Sequence, residues 1–373
     1  MTICHILTYS YENGGTSQVV ADLASFQTGK GDKVRILSTE LQGHSRYPVP
    51  PGVELITFKP ETLTRVIPLY SSALYDYVEA NDKDIDVYHL HCLWNYGEML
   101  VDKLHLHHKT VVTIHGSLHP YTFKGLVYYK RLVYSKWFQK NFLHKVKLIH
   151  LLHEGEVQDV TDYLGHRPDN LEVVPNGIDI HSVLPTPLDN RNRNELLFIG
   201  RLHHKKGLDI LMPAFKKVVQ ARPDAKLLIA GPDDGMLDYI LEFTEQNRLE
   251  KQVEILGTVT GEAKRELFSR AGIFVLPTYS EGFSLAVLEA IMYGLPPVVS
   301  DQTGLSPLLE NYQAAVVTAP QINAFAEGVL KVLNNDRLYQ ELPENGRRLL
   351  EEKLDKQTVC TEFNRQVYDK FRS

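Results

Sequence analysis

Residues Leu276–Ser300, LPTYSEGFSLAVLEAIMYGLPPVVS, decide the fold that this sequence predicts. An apolar run, Ile273–Leu276, leads into the stretch and predicts a buried strand of a parallel sheet. The turn that follows opens into a helix predicted from about Ser284 to Tyr293, which ends at a glycine followed closely by two prolines. Val298 and Val299 then predict a second strand. This unit places its turn at the carboxyl end of a parallel strand, where open α/β sheets bind ligands.

Two carboxylates mark this unit. Glu281 lies in the turn, and Glu289 follows two helical turns later, so both can line one cleft without touching the same atom. Between them, the N–H groups of Phe283, Ser284 and Leu285 lie at a helix N-terminus, which favours an anion such as a phosphate. The pattern suits a sugar nucleotide, with its diphosphate on the helix start and its hydroxyls on the carboxylates.

The motif from Glu281 to Glu289, E-G-F-x-L-x-x-x-E, resembles the two-glutamate motif of the retaining family 4 glycosyltransferases. The resemblance implies an α/β protein of the GT-B fold, in which two Rossmann-like domains face each other across a deep cleft. It also implies that Glu281 contacts the donor sugar as a catalytic residue and that Glu289 binds the ribose hydroxyls. Gly282, Phe283, Ser284 and Leu285 are then donor-binding residues.

The length, composition and charge of the chain also favour a globular enzyme of two domains. A chain of 373 residues predicts two domains, and 43% hydrophobic with 23% charged residues is typical of a soluble globular protein. A net charge of −6 disfavours nucleic acid as a partner. The three cysteines are far apart, and no apolar run approaches the length of a membrane span. We therefore expect a cytoplasmic enzyme, with peripheral contact to the inner face of the membrane left open.

The N-terminus predicts the opening of a Rossmann-like domain. A strand over residues 2–8 is followed by the pair Gly14 and Gly15 and by a helix from Thr16, so the backbone can approach a ligand at the helix start. The pair is not a G-x-G-x-x-G fingerprint, which disfavours a nicotinamide dehydrogenase. The family resemblance makes Gly14 and Gly15 donor-binding residues.

A strand over residues 109–114 ends in His115 and Gly116, where a side chain faces the ligand cleft. The resemblance places a histidine that contacts the donor sugar at this point, so His115 is a candidate catalytic residue. The other closely spaced histidines, such as His89 and His91, lack the pattern of a zinc site, and we expect no bound metal. The triplet Asp84 to Asp86 precedes a strand and is interpreted as surface.

The second predicted domain opens with a basic loop, G-R-L-x-x-x-K-G, over Gly200–Gly207. Two cations at a glycine-rich turn before a helix can neutralise a diphosphate. The loop resembles that of the family, which implies that Arg201 and Lys206 bind the donor diphosphate and stabilise the departing nucleotide. Gly257 is expected to help hold the base through backbone contacts. After Ser300 the chain departs from the family pattern, with Gln302–Pro307 in place of a Gly-Gly and Pro-Glu segment.

These elements predict an N-terminal acceptor domain over residues 1–183, completed by a crossover helix over about 355–373, and a donor-nucleotide domain over 184–354. Residues 184–194 are rich in proline, asparagine and arginine and are interpreted as the linker. Residues 39–70 are expected to be irregular.

Residues 120–147 interleave aromatic and basic side chains and contain no acidic residue. At helical spacing this is typical of a helix that contacts an anionic membrane surface. It is equally typical of a helix that packs its aromatic side chains in a core and leaves its lysines in solvent. The sequence leaves both interpretations open.

Taken with the resemblance, the residues predict a retaining glycosyltransferase that moves a hexose, glucose first, from a UDP-sugar to a hydroxyl in polysaccharide or lipid-linked glycan synthesis. No cofactor is implied, because the nucleotide sugar is a substrate and the fold family binds it without a metal. A nucleotide-sugar epimerase of the same architecture and a non-catalytic sugar-nucleotide-binding protein remain alternatives.

Overall fold

The structure, a computed structural model, describes residues 1–7, 11, 14–40, 47–61, 69–123 and 131–372. The chain forms two compact units. The N-terminal unit comprises residues 1–177 together with 356–373, and the C-terminal unit comprises residues 178–355. Each unit is built on its own parallel sheet, as the GT-B prediction requires.

The N-terminal unit contains a seven-stranded sheet in the order β3-β2-β1-β4-β5-β6-β7, with all strands parallel. Apolar side chains cover both faces, because the connecting helices shield the sheet from water on each side. The strands are β1 Thr2–Leu7, β2 Lys33–Thr39, β3 Val53–Phe58, β4 Val87–His91, β5 Thr110–Thr113, β6 Leu148–Leu151 and β7 Leu171–Val173. Its helices are α1 Gly15–Gly29, α2 Ser72–Asn81, α3 Tyr96–Lys103, α4 Lys140–Lys145 (preceded by a π-helical turn, Ser135–Gln139) and α5 Glu154–Leu164.

The C-terminal unit contains a six-stranded parallel sheet in the order β10-β9-β8-β11-β12-β13. The strands are β8 Asn192–Ile199, β9 Lys226–Ala230, β10 Val253–Gly257, β11 Ala271–Leu276, β12 Pro297–Ser300 and β13 Val316–Thr318. The helices are α6 Leu208–Ala221, α7 Leu237–Gln246, α8 Gly261–Arg270, α9 Leu285–Met292, α10 Ser306–Tyr312, α11 Ile322–Leu333 and α12 Asp336–Leu349. A final helix, α13 Lys356–Gln366, belongs to the N-terminal unit.

Both sheets reverse their strand order at one point. In the N-terminal unit the chain adds β2 and β3 on one side of β1 and then returns to place β4 on the other side. In the C-terminal unit the same reversal separates β8 from β11. Because crossovers are right-handed, the helices around such a point leave on opposite faces and open a crevice at the carboxyl ends of the two strands. The predicted loops after β8 and β11 flank the crevice of the C-terminal unit.

Strand β3 was not expected from the sequence. It lies at the edge of its sheet, paired only with β2, and its residues Val53–Phe58 are mostly half-buried or exposed. A turn containing Pro50, Pro51 and Gly52 precedes it, and these residues gave the region an irregular pattern. An edge strand needs only one apolar face, so its sequence signal is weak.

The interdomain boundary also differs from the expectation. Ile178 pairs with Asp355, and its N–H donates to the carbonyl of Leu354 at 2.9 Å, so the chain enters the C-terminal unit at residue 178. The segment 184–194, interpreted as a linker, is part of that unit. Arg191 within it is buried, and its guanidinium donates to the carbonyl oxygens of Phe268 and Ala271 at 2.6 and 2.9 Å.

The acidic triplet before β4 lies where the sequence placed it. Asp84 and Asp86 are exposed, and Asp86 accepts a hydrogen bond from the N–H of Thr2 at the amino ends of the strands. None of the helices in the described ranges combines the length and apolar composition needed to cross a bilayer.

Candidate active site

The loop after β8 is fastened to the loop after β11. The Tyr279 N–H and the Thr278 hydroxyl both donate to the carbonyl oxygen of Lys205, at 2.9 and 2.8 Å. This attachment brings together two residues that lie 75 positions apart, Lys206 and Glu281, as a hydrogen-bonded ion pair. Their side chains are only 17% and 18% exposed, so two predicted site residues meet in a largely buried position.

Gly207 allows this close approach. Its φ is +73°, and a Cβ atom there would lie 1.9 Å from the carbonyl oxygen of Pro277. Any side chain would therefore push the two loops apart and separate Lys206 from Glu281.

Charge keeps Glu281 ionised. Burial alone would raise the pKa of its carboxyl, but the Lys206 ammonium, with smaller contributions from Lys205 and Arg201, holds the pKa below its usual range. Burial also lowers the pKa of Lys205. The pair is thus a carboxylate beside an ammonium, able to accept hydrogen bonds from hydroxyls and to attract a phosphate.

Arg201 has a different environment. Its guanidinium donates to the carboxylate of Asp234 at 2.7 Å, and the two side chains are 65% and 41% exposed. An ion pair this exposed contributes little to stability, so the guanidinium can exchange Asp234 for an anionic ligand at low cost.

The N-terminus of α9 supplies backbone donors beside Glu281. The first bond along the helix runs from the N–H of Leu288 to the carbonyl of Ser284, and the Ser284 side chain makes no capping bond. The N–H groups of Leu285, Ala286 and Val287 therefore have no acceptor within the helix. The side chains of Phe283 and Ser284 are 8% and 3% exposed, so these two predicted residues offer backbone rather than side-chain groups.

Glu289 is held by a residue that the sequence did not single out. Lys264 on α8 donates to its carboxylate at 2.6 Å, and the two side chains are 29% and 16% exposed. Lys264 belongs to no motif, and only the structure shows that α8 packs beside α9 at this point. Glu289 is therefore a partly buried, charge-paired carboxylate and not a surface residue.

The segment that departs from the family pattern holds the backbone of Glu281. The Glu281 N–H donates to the carbonyl of Gln302 at 2.9 Å, and the N–H of Gly304 donates to the carbonyl of Glu281 at 2.8 Å. The chain thus fixes the turn with backbone bonds, which do not depend on the side chains at 302–304.

The loops after β9 and β10 lie against the same site. The N–H of Gly231 donates to the carbonyl of Gly257 at 2.7 Å, and a Cβ at Gly231 would lie 1.9 Å from the carbonyl oxygen of Gly200. Gly257 itself is exposed, and it contacts this set of loops through its carbonyl group. Its expected contact with the base remains a prediction.

In the N-terminal unit, strained backbone marks the turns after β4 and β5. His115 has a φ of +46°, and Cys92 and Trp94 after β4 have φ values of 64° and 69°. Non-glycine residues in this region are costly and cluster at functional sites. His115 thus lies where the sequence placed it, at the end of a strand and on a strained turn.

Two buried glutamates hold these turns. Glu156 accepts from the N–H groups of Gly116 and Leu152 at 2.5 and 2.6 Å. Glu98 accepts from the N–H of Trp94 at 2.8 Å and from the side chains of Tyr134 and Gln139. Burial raises the pKa of each carboxyl to about 7.

The predicted glycine pair lies at the start of α1. Gly14 has an extended backbone, with φ of −175°, and a Cβ there would meet no atom of the described residues within 4 Å. The described residues therefore do not require glycine at this position. Residues 8–10, 12 and 13 of the same turn, like residues 124–130 of the basic and aromatic stretch, lie outside the described residues.

Four buried histidines, His5, His89, His91 and His150, lie beneath His115. His115 is partly exposed, and the five residues form one cluster. The sequence suggested that His89 and His91 lack supporting partners, but the structure gives partners to both, and the expected absence of a bound metal remains a prediction. His91 bonds to both His5 and His115, and His89 bonds to Tyr368 and Thr113. The i, i+2 spacing on β4 was the available signal, because it places both rings on one face of the strand. Burial lowers the pKa of every histidine in the cluster, to about 4 for His5 and about 3 for His115.

A cleft opens beside the cluster within the N-terminal unit. Its lining includes His91 and His115, the amide of Asn176 and an ion pair between Asp22 and Lys356. Both charged and neutral polar groups therefore line the cleft beside His115.

The chain matches two known protein families. Residues 13–182 match the family described as Glycosyltransferase Family 4, and residues 185–349 match Glycosyl transferases group 1. Together the two matches span most of both units.

Individual relatives match over shorter stretches. The chain is 30% identical over 215 residues to a glycogen synthase of Mycobacterium tuberculosis, covering 56% of this chain and 51% of that protein. It is 32% identical over 175 residues to a phosphatidyl-myo-inositol mannosyltransferase of the same species, covering 44% and 45%. The chain thus spans about half the length of these relatives. Among solved structures, Anabaena HepE in complex with UDP and glucose superposes with a TM-score of 0.76 at 18% identity, over 99% of this chain and 100% of that one.

The histidine cluster predicts that the protein loses stability in mild acid. Unfolded imidazoles take up protons below pH 6.5, whereas the buried ones stay neutral down to about pH 4. Because the unfolded state then binds more protons, the free energy of unfolding falls by about 1.4 kcal/mol per pH unit for each such histidine. Glu98 and Glu156 oppose this between pH 7 and 4.5, since their folded pKa is raised, but the histidines outnumber them.

Urea unfolding at pH 7.0, 6.0 and 5.0 measures this dependence. We expect His150→Gln to reduce the slope of the free energy of unfolding against pH by the contribution of about one proton. His108→Gln, which changes an exposed side chain, should leave this slope unaltered. A free energy of unfolding that is as high at pH 5.0 as at pH 7.0 would contradict the prediction.

Proposed function

Because the chain belongs to the family 4 glycosyltransferases with the GT-B fold, we propose that it transfers a hexose, with glucose as first candidate, from a UDP-sugar to a hydroxyl of a glycan or lipid-linked acceptor. One observation carries the proposal. The Lys206–Glu281 pair lies beside the open N-terminus of α9, at the point where the strand order reverses. The cation and the N–H groups suit a diphosphate, and the carboxylate suits sugar hydroxyls.

Glu289 completes the donor site in this proposal. A carboxylate two helical turns beyond Glu281 can accept hydrogen bonds from both ribose hydroxyls, and the hydrogen bond from Lys264 orients it. UDP is the first choice of nucleotide because HepE, which has the same fold, is described with UDP and glucose.

The proposed reaction retains the configuration of the sugar. The bond from the anomeric carbon to the diphosphate breaks. The acceptor oxygen then bonds to the anomeric carbon on the face that the diphosphate leaves, while the acceptor proton passes to the leaving phosphate. Arg201, Lys206 and the N–H groups of α9 stabilise the charge that develops on the diphosphate. The proposal includes no metal ion, because these groups supply the positive charge that a metal would supply.

Titration calorimetry with UDP-, GDP- and ADP-sugars tests the donor site. We expect one UDP-sugar to bind to the wild type and binding to be lost in Glu289→Ala, because the ribose hydroxyls lose their acceptor. Glu242→Ala, which removes an exposed glutamate on α7, is the control and should bind like the wild type. Equal binding by Glu289→Ala would refute the assignment of this site.

Turnover tests the charge stabilisation. Arg201→Ala and Lys206→Ala should each lower kcat by roughly 100- to 1,000-fold, since each removes a group aimed at the developing charge. The control is Lys216→Ala, which removes an exposed lysine of the same unit. Release of UDP from the identified donor is the measurement, with thermal unfolding recorded in parallel. Near-normal turnover in both variants would exclude this mechanism.

Membrane contact is a further part of the proposal. The structure divides residues 131–145 into two sides. Tyr134, Gln139 and Phe142 face inward, whereas Trp137, Val133 and Leu132 are 82%, 61% and 48% exposed. Exposed lysines at 136 and 145 flank them. The inward side accounts for most of the aromatic pattern, and the exposed tryptophan among lysines supports contact with an anionic lipid surface.

Co-sedimentation with vesicles tests this contact. We expect binding to vesicles of phosphatidylcholine with phosphatidylglycerol, little binding to phosphatidylcholine alone, and release by high salt, since lysines provide the attraction. Trp137→Ser should weaken binding several-fold. Leu184→Ser, at an apolar site of the C-terminal unit that is 87% exposed, should not. No salt-sensitive binding by the wild type would end this part of the proposal.

A further inference from the structure

We infer that Gln27, His5 and His91 are positioning residues that hold His115 in a single neutral tautomer, with the proton on Nε2 and with Nδ1 presented as a hydrogen-bond acceptor for a substrate hydroxyl. The inference follows from the direction of a buried chain of hydrogen bonds. It extends the proposed function, which assigns His115 to the donor sugar, but the tautomer can be measured without any substrate.

One backbone carbonyl sets the direction at the far end of the cluster. Nε2 of His150 lies 2.8 Å from the carbonyl oxygen of Val174, which can only accept, so this nitrogen carries the proton. Nδ1 of His150 must then accept from the Thr113 hydroxyl, at 2.8 Å. The Thr113 oxygen in turn accepts from Nε2 of His89, at 2.6 Å.

The direction ends at Tyr368, and a second set of hydrogen bonds begins at Gln27. With its proton on Nε2, His89 accepts through Nδ1 from the Tyr368 hydroxyl at 2.7 Å. The Gln27 amide turns its oxygen toward His5, and its nitrogen is buried without a hydrogen-bond partner among the described residues.

From Gln27 the chain leads to the candidate active site. The Gln27 oxygen lies 2.9 Å from Nε2 of His5, which therefore donates. Nδ1 of His5 accepts from Nε2 of His91 at 3.0 Å, and Nδ1 of His91 accepts from Nε2 of His115 at 3.2 Å. Within the described part of the chain no hydrogen bond occupies Nδ1 of His115, and this side chain lines the cleft of the N-terminal unit.

This arrangement selects the ligand group. A neutral imidazole with an acceptor Nδ1 takes a hydrogen bond from a hydroxyl and repels the oxygens of a phosphate, which a protonated histidine would attract. Burial and the neighbouring His150 lower the pKa of His115 to about 3, so the ring stays neutral at physiological pH. The ligand at His115 is therefore a hydroxyl of the sugar or of the acceptor.

A buried metal ion is the competing interpretation, because ring nitrogens of His5, His89 and His91 lie within 4.8 Å of one another. Yet the six ring nitrogens of these three residues all have hydrogen-bond partners. A metal would have to break several of these bonds, and the three neutral ligands would leave its charge uncompensated. The geometry favours the hydrogen-bonded chain.

The tautomer is read directly from the ring-nitrogen resonances of the full chain, labelled with ¹⁵N-histidine and assigned by single His→Gln variants. We expect Nε2 of His115 in the protonated range and Nδ1 in the unprotonated range in the wild type. Gln27→Leu removes the acceptor for His5 and should give a mixture of both tautomers at His115. Gln27→Glu, which keeps an acceptor oxygen, should restore the single form.

Thr110→Val is the matched control, because Thr110 is also fully buried in the N-terminal unit and its hydroxyl donates to the carbonyl of Leu106 at 2.8 Å, outside the chain of histidines. It should cost comparable stability and leave the His115 resonances unchanged. With an identified donor, Gln27→Leu should lower kcat/KM by about 10- to 100-fold, the range for groups that orient a functional side chain from behind. Gln27→Glu should recover most of the loss, and Thr110→Val should show none.

Three results would overturn the inference. These are a wild-type His115 that carries its proton on Nδ1, a Gln27→Leu variant that changes the tautomer without changing kcat/KM, and stoichiometric zinc in the purified protein. If the protein bound no sugar nucleotide, the proposed function would fail, whereas the resonances would still decide the state of His115.

Discussion

The reversal of strand order in each sheet is the constraint on which both candidate sites depend. Right-handed crossovers send the helices to opposite faces on either side of β1 and β4, and again on either side of β8 and β11. No helix can fill the crevice that remains, so loops from strands distant in sequence meet there. This is why Lys206 and Glu281 become partners, and why His115 lies over histidines drawn from three strands.

Within these crevices, polar groups without access to water must find partners in the protein, and the two units do this differently. The C-terminal unit pairs full charges, Lys206 with Glu281 and Lys264 with Glu289. The N-terminal unit keeps its histidines neutral and links them through shared protons, while Glu98 and Glu156 bind backbone N–H groups. The first arrangement suits an anionic ligand that exchanges ion pairs, and the second suits an uncharged one.

The sequence predicted what local patterns encode. Apolar runs, glycines at turns and the spacing of Glu281 and Glu289 were sufficient to predict that two parallel sheets exist, together with the loops after β8 and β11 and the start of α9. They could not reveal β3, whose one-sided edge position leaves a weak pattern, or Lys264, which belongs to no motif. The partners of His89 and His91 were missed for a related reason. His5 and Tyr368 are distant in sequence from both, and only the folded chain brings them within reach.

The placement of residues 356–372 affects how the molecule is made. Val359, Phe363 and Tyr368 complete an apolar cluster with Ile3, Val87 and Val111, yet the ribosome synthesises them only after all of residues 178–355. The C-terminal unit is continuous in sequence and can fold as soon as it emerges. The N-terminal unit is translated first, but its apolar cluster and the hydrogen bond of His89 are complete only after Tyr368 has been synthesised. The order in which the units are completed is thus the reverse of the order of their synthesis. The apolar surface that stays exposed longest, and that a chaperone would bind, lies on the N-terminal unit.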